Sequence, residues 1–147
     1  MVLSSLSDIV TRHHYQDLND EQEQIVHETL TRQIHLYTKY HKVGTDEGVS
    51  ALIEHILKTY NLALESVGVK CLEIKFQCAS LEILEHLWSD YQSGHLNSIA
   101  ERYLVTEDIK RKLRLESVRL KTTVDEENYR NCQRILMEKS CEYQSGM

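Results

Sequence analysis

The sequence predicts an α+β fold: a two-layer sandwich whose small, mainly antiparallel sheet of three or four strands carries helices on one face. Three observations predict it. Leu72, Ile74 and Phe76 alternate with Glu73, Lys75 and Gln77, the period-two signature of a strand with one buried face. Val49, Leu52, Ile53, Ile56, Leu57 and Tyr60 instead recur at helical spacing and form one continuous apolar stripe. Strand pairs and helices then interleave within 147 residues, the length of one ordinary domain.

Residues 1–18 show weak periodicity and read as a tail or a short helix. A helix is expected from Asn19 onward. Asp20 can cap it, and Ile25, Val26, Leu30, Ile34 and Tyr37 recur at its spacing. Gln33 to Tyr40 also alternates and is rich in β-formers, so helix and strand both stand there, helix slightly ahead. Val43 to Thr45 interrupts the chain, and Thr45 is placed to cap the Val49–Tyr60 helix. Leu62 and Leu64 open a strand that turns at Gly68 into the strand Leu72–Phe76. Ser80 can cap a helix holding Leu81, Leu84, Trp88 and Tyr91, and Gly94 stands where a left-handed residue ends one. Asn97 or Ser98 is expected to cap the next helix, with Ser98 and Glu101 as a capping box. Thr106 opens a short third helix with Ile109 and Leu113 inward. Leu115 to Val124 alternates as a last strand. Asp125 then caps a helix whose inner residues are Tyr129, Cys132, Ile135 and Leu136. The domain is expected over 19–140, with 141–147 as a tail.

Composition removes several function classes. No apolar run approaches the roughly 18 residues that cross a bilayer, and the start lacks a basic segment followed by an apolar one. A cytoplasmic protein without membrane association is expected. The net charge of −6 argues against a dedicated nucleic-acid binder. Cys71, Cys78, Cys132 and Cys141 lack the paired spacing of zinc sites and are expected to be reduced, half-buried thiols. The eight histidines show no HxxxH or HExxH spacing on one face. No metal and no cofactor is expected.

Candidate chemistry concentrates in Leu84–Leu104, which holds the only Trp. His86 and Asp90 are four apart on a helix and share its solvent side. A triad needs a nucleophile and an oxyanion site, and neither is visible, so the pair reads as a surface contact and Trp88 and Tyr91 as core. No enzyme is expected. A basic run, Lys110, Arg111, Lys112, Arg114, Arg119 and Lys121, divides between the third short helix and the outer face of the last strand. It reads as a solvated face with cross-strand pairs, or as a docking surface for an acidic partner.

The segments LEIKFQC, LWSDYQSGHLNSIAERYLV, LESVRLKTT and DEENYRNCQRILM carry a resemblance. In that order, with the step Tyr91-x-x-Gly94-x-Leu96, they resemble the N-terminal domain of the TNF receptor-associated death-domain adaptor. The stretches VGTDEGVSALIEHILKTY and YLVTEDIKRKL resemble the broader TRADD-like N-terminal group of animal immune proteins. The resemblance covers about Thr45 to Met137. It implies a four-stranded sheet with helices on one face, and a first strand ahead of the Thr45 helix, which favours Gln33–Tyr40 as that strand. It also implies an open sheet face that recruits the C-terminal domain of a TNF receptor-associated factor. The chain departs from that pattern, because the corresponding face here is charged and lacks an aromatic anchor.

The expectation is therefore a non-enzymatic adaptor or scaffold domain in cytosolic innate-immune or cell-death signalling. It would dock a protein partner, a TNF receptor-associated factor or another signalling protein, or a second copy of itself. The residues expected to carry this, on the open sheet face and the adjoining basic helix, are Glu73, Lys75, Arg111, Arg119 and Lys121. The alternative is an anion- or RNA-binding module using Lys110 to Lys121.

Overall fold

The computed structural model describes residues 7–40, 48–68 and 71–145, with side chains over 7–37, 48–68 and 71–138. Its elements are β1 (Ser7–Tyr15), α1 (Asp20–Tyr40), α2 (Val49–Tyr60), β2 (Ala63–Gly68), β3 (Leu72–Cys78), α3 (Leu81–Ser93), α4 (His95–Leu104), α5 (Glu107–Leu113), β4 (Leu120–Val124) and α6 (Glu126–Ser145). The strands form one antiparallel sheet in the order β2-β3-β1-β4. The α+β fold is as the sequence predicts.

β1 corrects the reading of residues 1–18. Ser7–Tyr15 is neither tail nor helix but an inner strand, paired with β3 from Ser7↔Cys78 to His13↔Leu72 and with β4 from Thr11↔Val124 to Tyr15↔Leu120. Ser7, Ile9, Thr11, His13 and Tyr15 point into the protein. Two of its three polar inner residues, Thr11 and His13, satisfy each other and a neighbour. The His13 ring lies 3.0 Å from the Thr11 hydroxyl and 2.9 Å from that of Thr122 on β4. Burial pushes the His13 pKa down to about 4, so the ring is neutral.

Gln33–Tyr40 completes α1 as helix, with Val26, Leu30 and Ile34 buried along one stripe. Asn19, not Asp20, caps it. The Gln22 N–H donates to Asn19 Oδ1 at 2.8 Å, and the Asn19 N–H donates to Gln22 Oε1 at 3.0 Å, a reciprocal box. Thr45, Asp46 and Glu47, the expected start of the next helix, lie outside the described residues. α2 opens at Gly48, whose φ of +91° excludes most side chains; a Cβ there would also stand 2.9 Å from Gln33 Oε1. Gln33 Oε1 instead accepts the Val49 N–H.

Ser80 caps α3 as expected, accepting the Ile83 N–H, and Gly94 takes the left-handed conformation between α3 and α4. α4 then starts at His95, earlier than the expected caps Asn97 and Ser98. Asn97 has a different use: its Oδ1 accepts the Thr122 N–H of β4 at 2.8 Å. Thr106 caps α5 and Asp125 binds the Glu127 N–H at the start of α6. α6 continues to Ser145, so the expected tail at 141–147 is helical through that residue.

The core lies between the sheet and the helices. Ile9, Leu72, Ile74, Phe76, Leu120 and Val124 from the strands meet Leu30, Leu52, Ile56, Leu84, Leu96, Ile109 and Cys132 from the helices. Trp88, like Tyr91, packs against this core as expected but is only partly buried. It stacks flat on Tyr129 of α6 with ring centroids 4.0 Å apart.

Candidate interaction site on the open sheet face

Alternation along each strand sends the remaining side chains to the other face of the sheet. That face carries Asp8, Val10, Arg12 and His14 from β1, Glu73, Lys75 and Gln77 from β3, and Lys121 and Thr123 from β4. Pairing fixes the neighbours. Arg12 sits opposite both Glu73 and Thr123, Val10 opposite Lys75, and His14 opposite Lys121. β2 adds Ala63, Ser66 and Gly68, and a bulge between Leu64 and Ser66 adds Glu65. Gln77 Nε2 donates to the Glu65 carboxylate at 2.7 Å.

The charges sort along the strands. Asp8 and Glu65 lie at the Gln77 end. At the opposite end His14 faces Lys121, and Arg119 stands one residue before β4, its carbonyl accepting the Gln16 N–H. Between them Arg12 and Glu73 form an ion pair at 2.9 Å with both side chains about two-fifths exposed, 42 % and 43 %. A pair so exposed contributes little stability, roughly 0–1 kcal/mol. Its effect is to fix two charges in place rather than to hold the fold.

Of the five residues expected to bind a partner, the sheet brings together Glu73, Lys75 and Lys121, with exposed Arg119 beside them. Arg111 does not join them. It belongs to α5, which packs against α1 and buries Ile109 and Leu113 in the core on the helical side. Sequence proximity to β4 was misleading here. The basic run is also less basic than it reads, because α5 brings its own acids. Lys110 pairs with Glu107 at 2.9 Å, and Lys112 and Arg111 lie 3.1 and 3.9 Å from Asp108.

The residues missed by sequence reasoning are those of β1, Asp8, Val10, Arg12 and His14, which run through the middle of the face. The signal was present as alternation, but its inner positions hold Thr11 and His13, which hide an apolar period. One further detail seals β1. β4 ends opposite Thr11, and beyond it the Asn128 amide of α6 takes the place of a strand: Oδ1 accepts the Val10 N–H at 2.9 Å and Nδ2 donates to the Asp8 carbonyl at 3.1 Å.

His86 is exposed and meets Asp90 across one helical turn as expected, but Asp90 itself is turned inward. Asp90 has a side chain only 22 % exposed, accepts the hydroxyl of buried Tyr60 at 2.6 Å, and lies 3.5 Å from His86. Burial and then the Asp90 carboxylate raise the Tyr60 pKa, so the phenol keeps its proton. This ties α2 to α3. A shallow hollow of about 80 Å³ lies among His14, Leu18, Glu23, His27 and Cys71. Among the described residues no group of three or more His, Cys, Asp or Glu is arranged to hold a metal ion. Nor does any described helix have the length and apolar character to cross a membrane.

Compared with models of known protein families, with curated proteins and with solved structures, the chain matches none.

Proposed function

We propose that this chain is a protein-interaction domain, of adaptor or scaffold type, that docks a partner through the open face of its sheet. The observation that carries this is the division of the sheet into two unlike faces. One is filled by the core; the other is a broad, charge-ordered surface on four strands with a single aliphatic residue, Val10, among the outward side chains of its inner strands. Such a surface is read by charge complementarity more than by an aromatic anchor. The end bearing Arg119, Lys121 and His14 suits acidic side chains of a partner. The four-stranded sheet, its helices on one side and the step from α3 through Gly94 to α4 support the TRADD-like resemblance of the sequence. On that reading the setting is cytosolic immune or cell-death signalling, and a TNF receptor-associated factor's C-terminal domain is the first partner to try. Anion or RNA binding through Lys110–Lys121 is the weaker reading, since α5 pairs its cations with its own acids.

The test is mass-resolved sizing of the protein with and without that C-terminal domain, using wild type and an Arg119→Glu/Lys121→Glu variant. Both residues are exposed, so the variant should fold. The proposal expects a complex with wild type that the variant loses. A complex indifferent to the reversal would reject this face, and no complex at all would reject this partner class.

A further inference from the structure

The two edges of the sheet are treated differently. At β4, the Asn97 amide from α4 occupies the Thr122 N–H. At the other edge β2 is the outermost strand, and among the described residues its main chain pairs only with β3. Unpaired strand edges are templates for another strand, and proteins usually blunt them with charged side chains (Lys above all), Pro, a bulge or a covering element. β2, Ala63–Gly68, has neither Lys nor Pro, and its one charge, Glu65, lies at the bulge on the open face.

Its bulge has a second consequence. The six residues read exposed, half-buried, exposed, exposed, half-buried, exposed, a palindrome. Leu64 and Val67 lie on the helical face, opposite Phe76 and Ile74 of β3; Ala63, Glu65, Ser66 and Gly68 lie on the open face. A regular six-residue strand cannot overlap fully with an antiparallel copy of itself, because its first and last residues point to opposite faces. The bulge removes that mismatch. In full overlap, Leu64 faces Val67 of a second copy, Glu65 faces Ser66, and Ala63 faces Gly68, each on the matching side.

We propose that β2 pairs antiparallel with β2 of a second copy of this chain about a two-fold axis between Glu65 and Ser66, joining two sheets into one of eight strands. The apolar pairs Leu64–Val67 then form twice and cover side chains left half-exposed in a single copy. The charges agree as well. Ser66 sits directly opposite Lys75, for which no ion-pair partner occurs among the described residues. In the pairing, Glu65 of the second copy arrives beside that small serine and reaches over it toward Lys75. The two-fold repeats this contact, and no like charges stand directly opposite. The pairing uses the edge of the sheet, so it stands whether or not the open face recruits another protein.

Two experiments test it, both on the full chain. In sedimentation velocity from micromolar to millimolar protein, wild type should dimerise. Lys75→Glu should weaken the dimer about tenfold, as expected for losing two exposed pairs, and Glu65→Lys with Lys75→Glu should restore it. In a Cys71→Ser/Cys141→Ser background, Leu64→Cys with Val67→Cys should give a disulfide-linked dimer under mild oxidation, while Leu64→Cys alone should not. Within one chain these positions are three apart on a strand, about 10 Å, beyond disulfide reach. A monomer at every concentration overturns the proposal. So does a dimer that ignores the charge reversal and fails to crosslink.

Discussion

His13 should make the fold acid-sensitive in a way that can be isolated from every other titrating group. The ring is fully buried and neutral, and burial lowers its pKa to about 4, while an unfolded chain returns it to about 6.5. Below pH 6.5 the unfolded state therefore binds a proton that the native state refuses. Stability from this group is complete above the unfolded pKa and is lost as pH falls toward the folded one. The difference of about 2.5 pKa units corresponds to about 3 kcal/mol, lost between about pH 7 and pH 4. That is a large share of the 5–15 kcal/mol typical of a domain. The chain has seven other histidines and many carboxylates, so the pH profile of wild type alone would not assign the effect. His13→Gln supplies the reference. Glutamine can both donate and accept toward Thr11 and Thr122 but does not titrate. The unfolding free energies of both proteins, measured in urea across this range, should converge by about 3 kcal/mol as pH falls. A constant difference, or an imidazole that titrates near pH 6.5 in the folded protein by NMR, would refute the reasoning.

Two further outcomes follow from single contacts. Asn128→Ala leaves the Val10 N–H and the Asp8 carbonyl without their side-chain partner; it should cost about 1–2 kcal/mol and speed hydrogen exchange at Val10 far more than at Arg12, which a uniform change in exchange would contradict. Trp88→Ala removes a half-buried ring stacked on Tyr129, so its cost should be about 2 kcal/mol rather than the 3–5 of a fully enclosed aromatic, with loss of near-ultraviolet circular dichroism; unchanged melting would mean that the stack contributes nothing.

Much of the architecture was legible because apolar residues follow simple periods. α2, β3 and α3 were read correctly from Val49–Tyr60, Leu72–Phe76 and the Ser80 cap, where pattern, cap and burial agree. β1 was not legible for a physical reason. Thr11 and His13 occupy inner positions at which pattern reasoning expects hydrocarbon, and their burial is tolerated only because His13 and the hydroxyls of Thr11 and Thr122 satisfy one another. That partner is contributed by a strand far along the chain, so no local window can show it. Asn97 was misread as a helix cap for the same reason: its side chain answers a distant strand edge. Of the candidate site, the outward residues of β3 and β4 could be named from alternation alone. Their neighbours on β1 could not, and Arg111 was included because linear proximity does not say which layer a helix joins.

The position of β1 also governs when the molecule can assemble. Ser7 pairs with Cys78, Thr11 with Val124, and the Val10 amide with Asn128, 118 positions away. β1, the first of the described strands, thus gains β3 only after about half of the 147 residues, and β4 and Asn128 only after most of them. Contacts of such long sequence separation carry a high loop-closure cost, which slows folding relative to helical domains of the same size. During the second wait β1 can already pair with β3, but its other edge, which β4 and Asn128 close in the mature sheet, is a free template. Until β4 docks, a nascent chain is exposed on the side that the mature sheet closes, and aggregation during synthesis should be governed by β1.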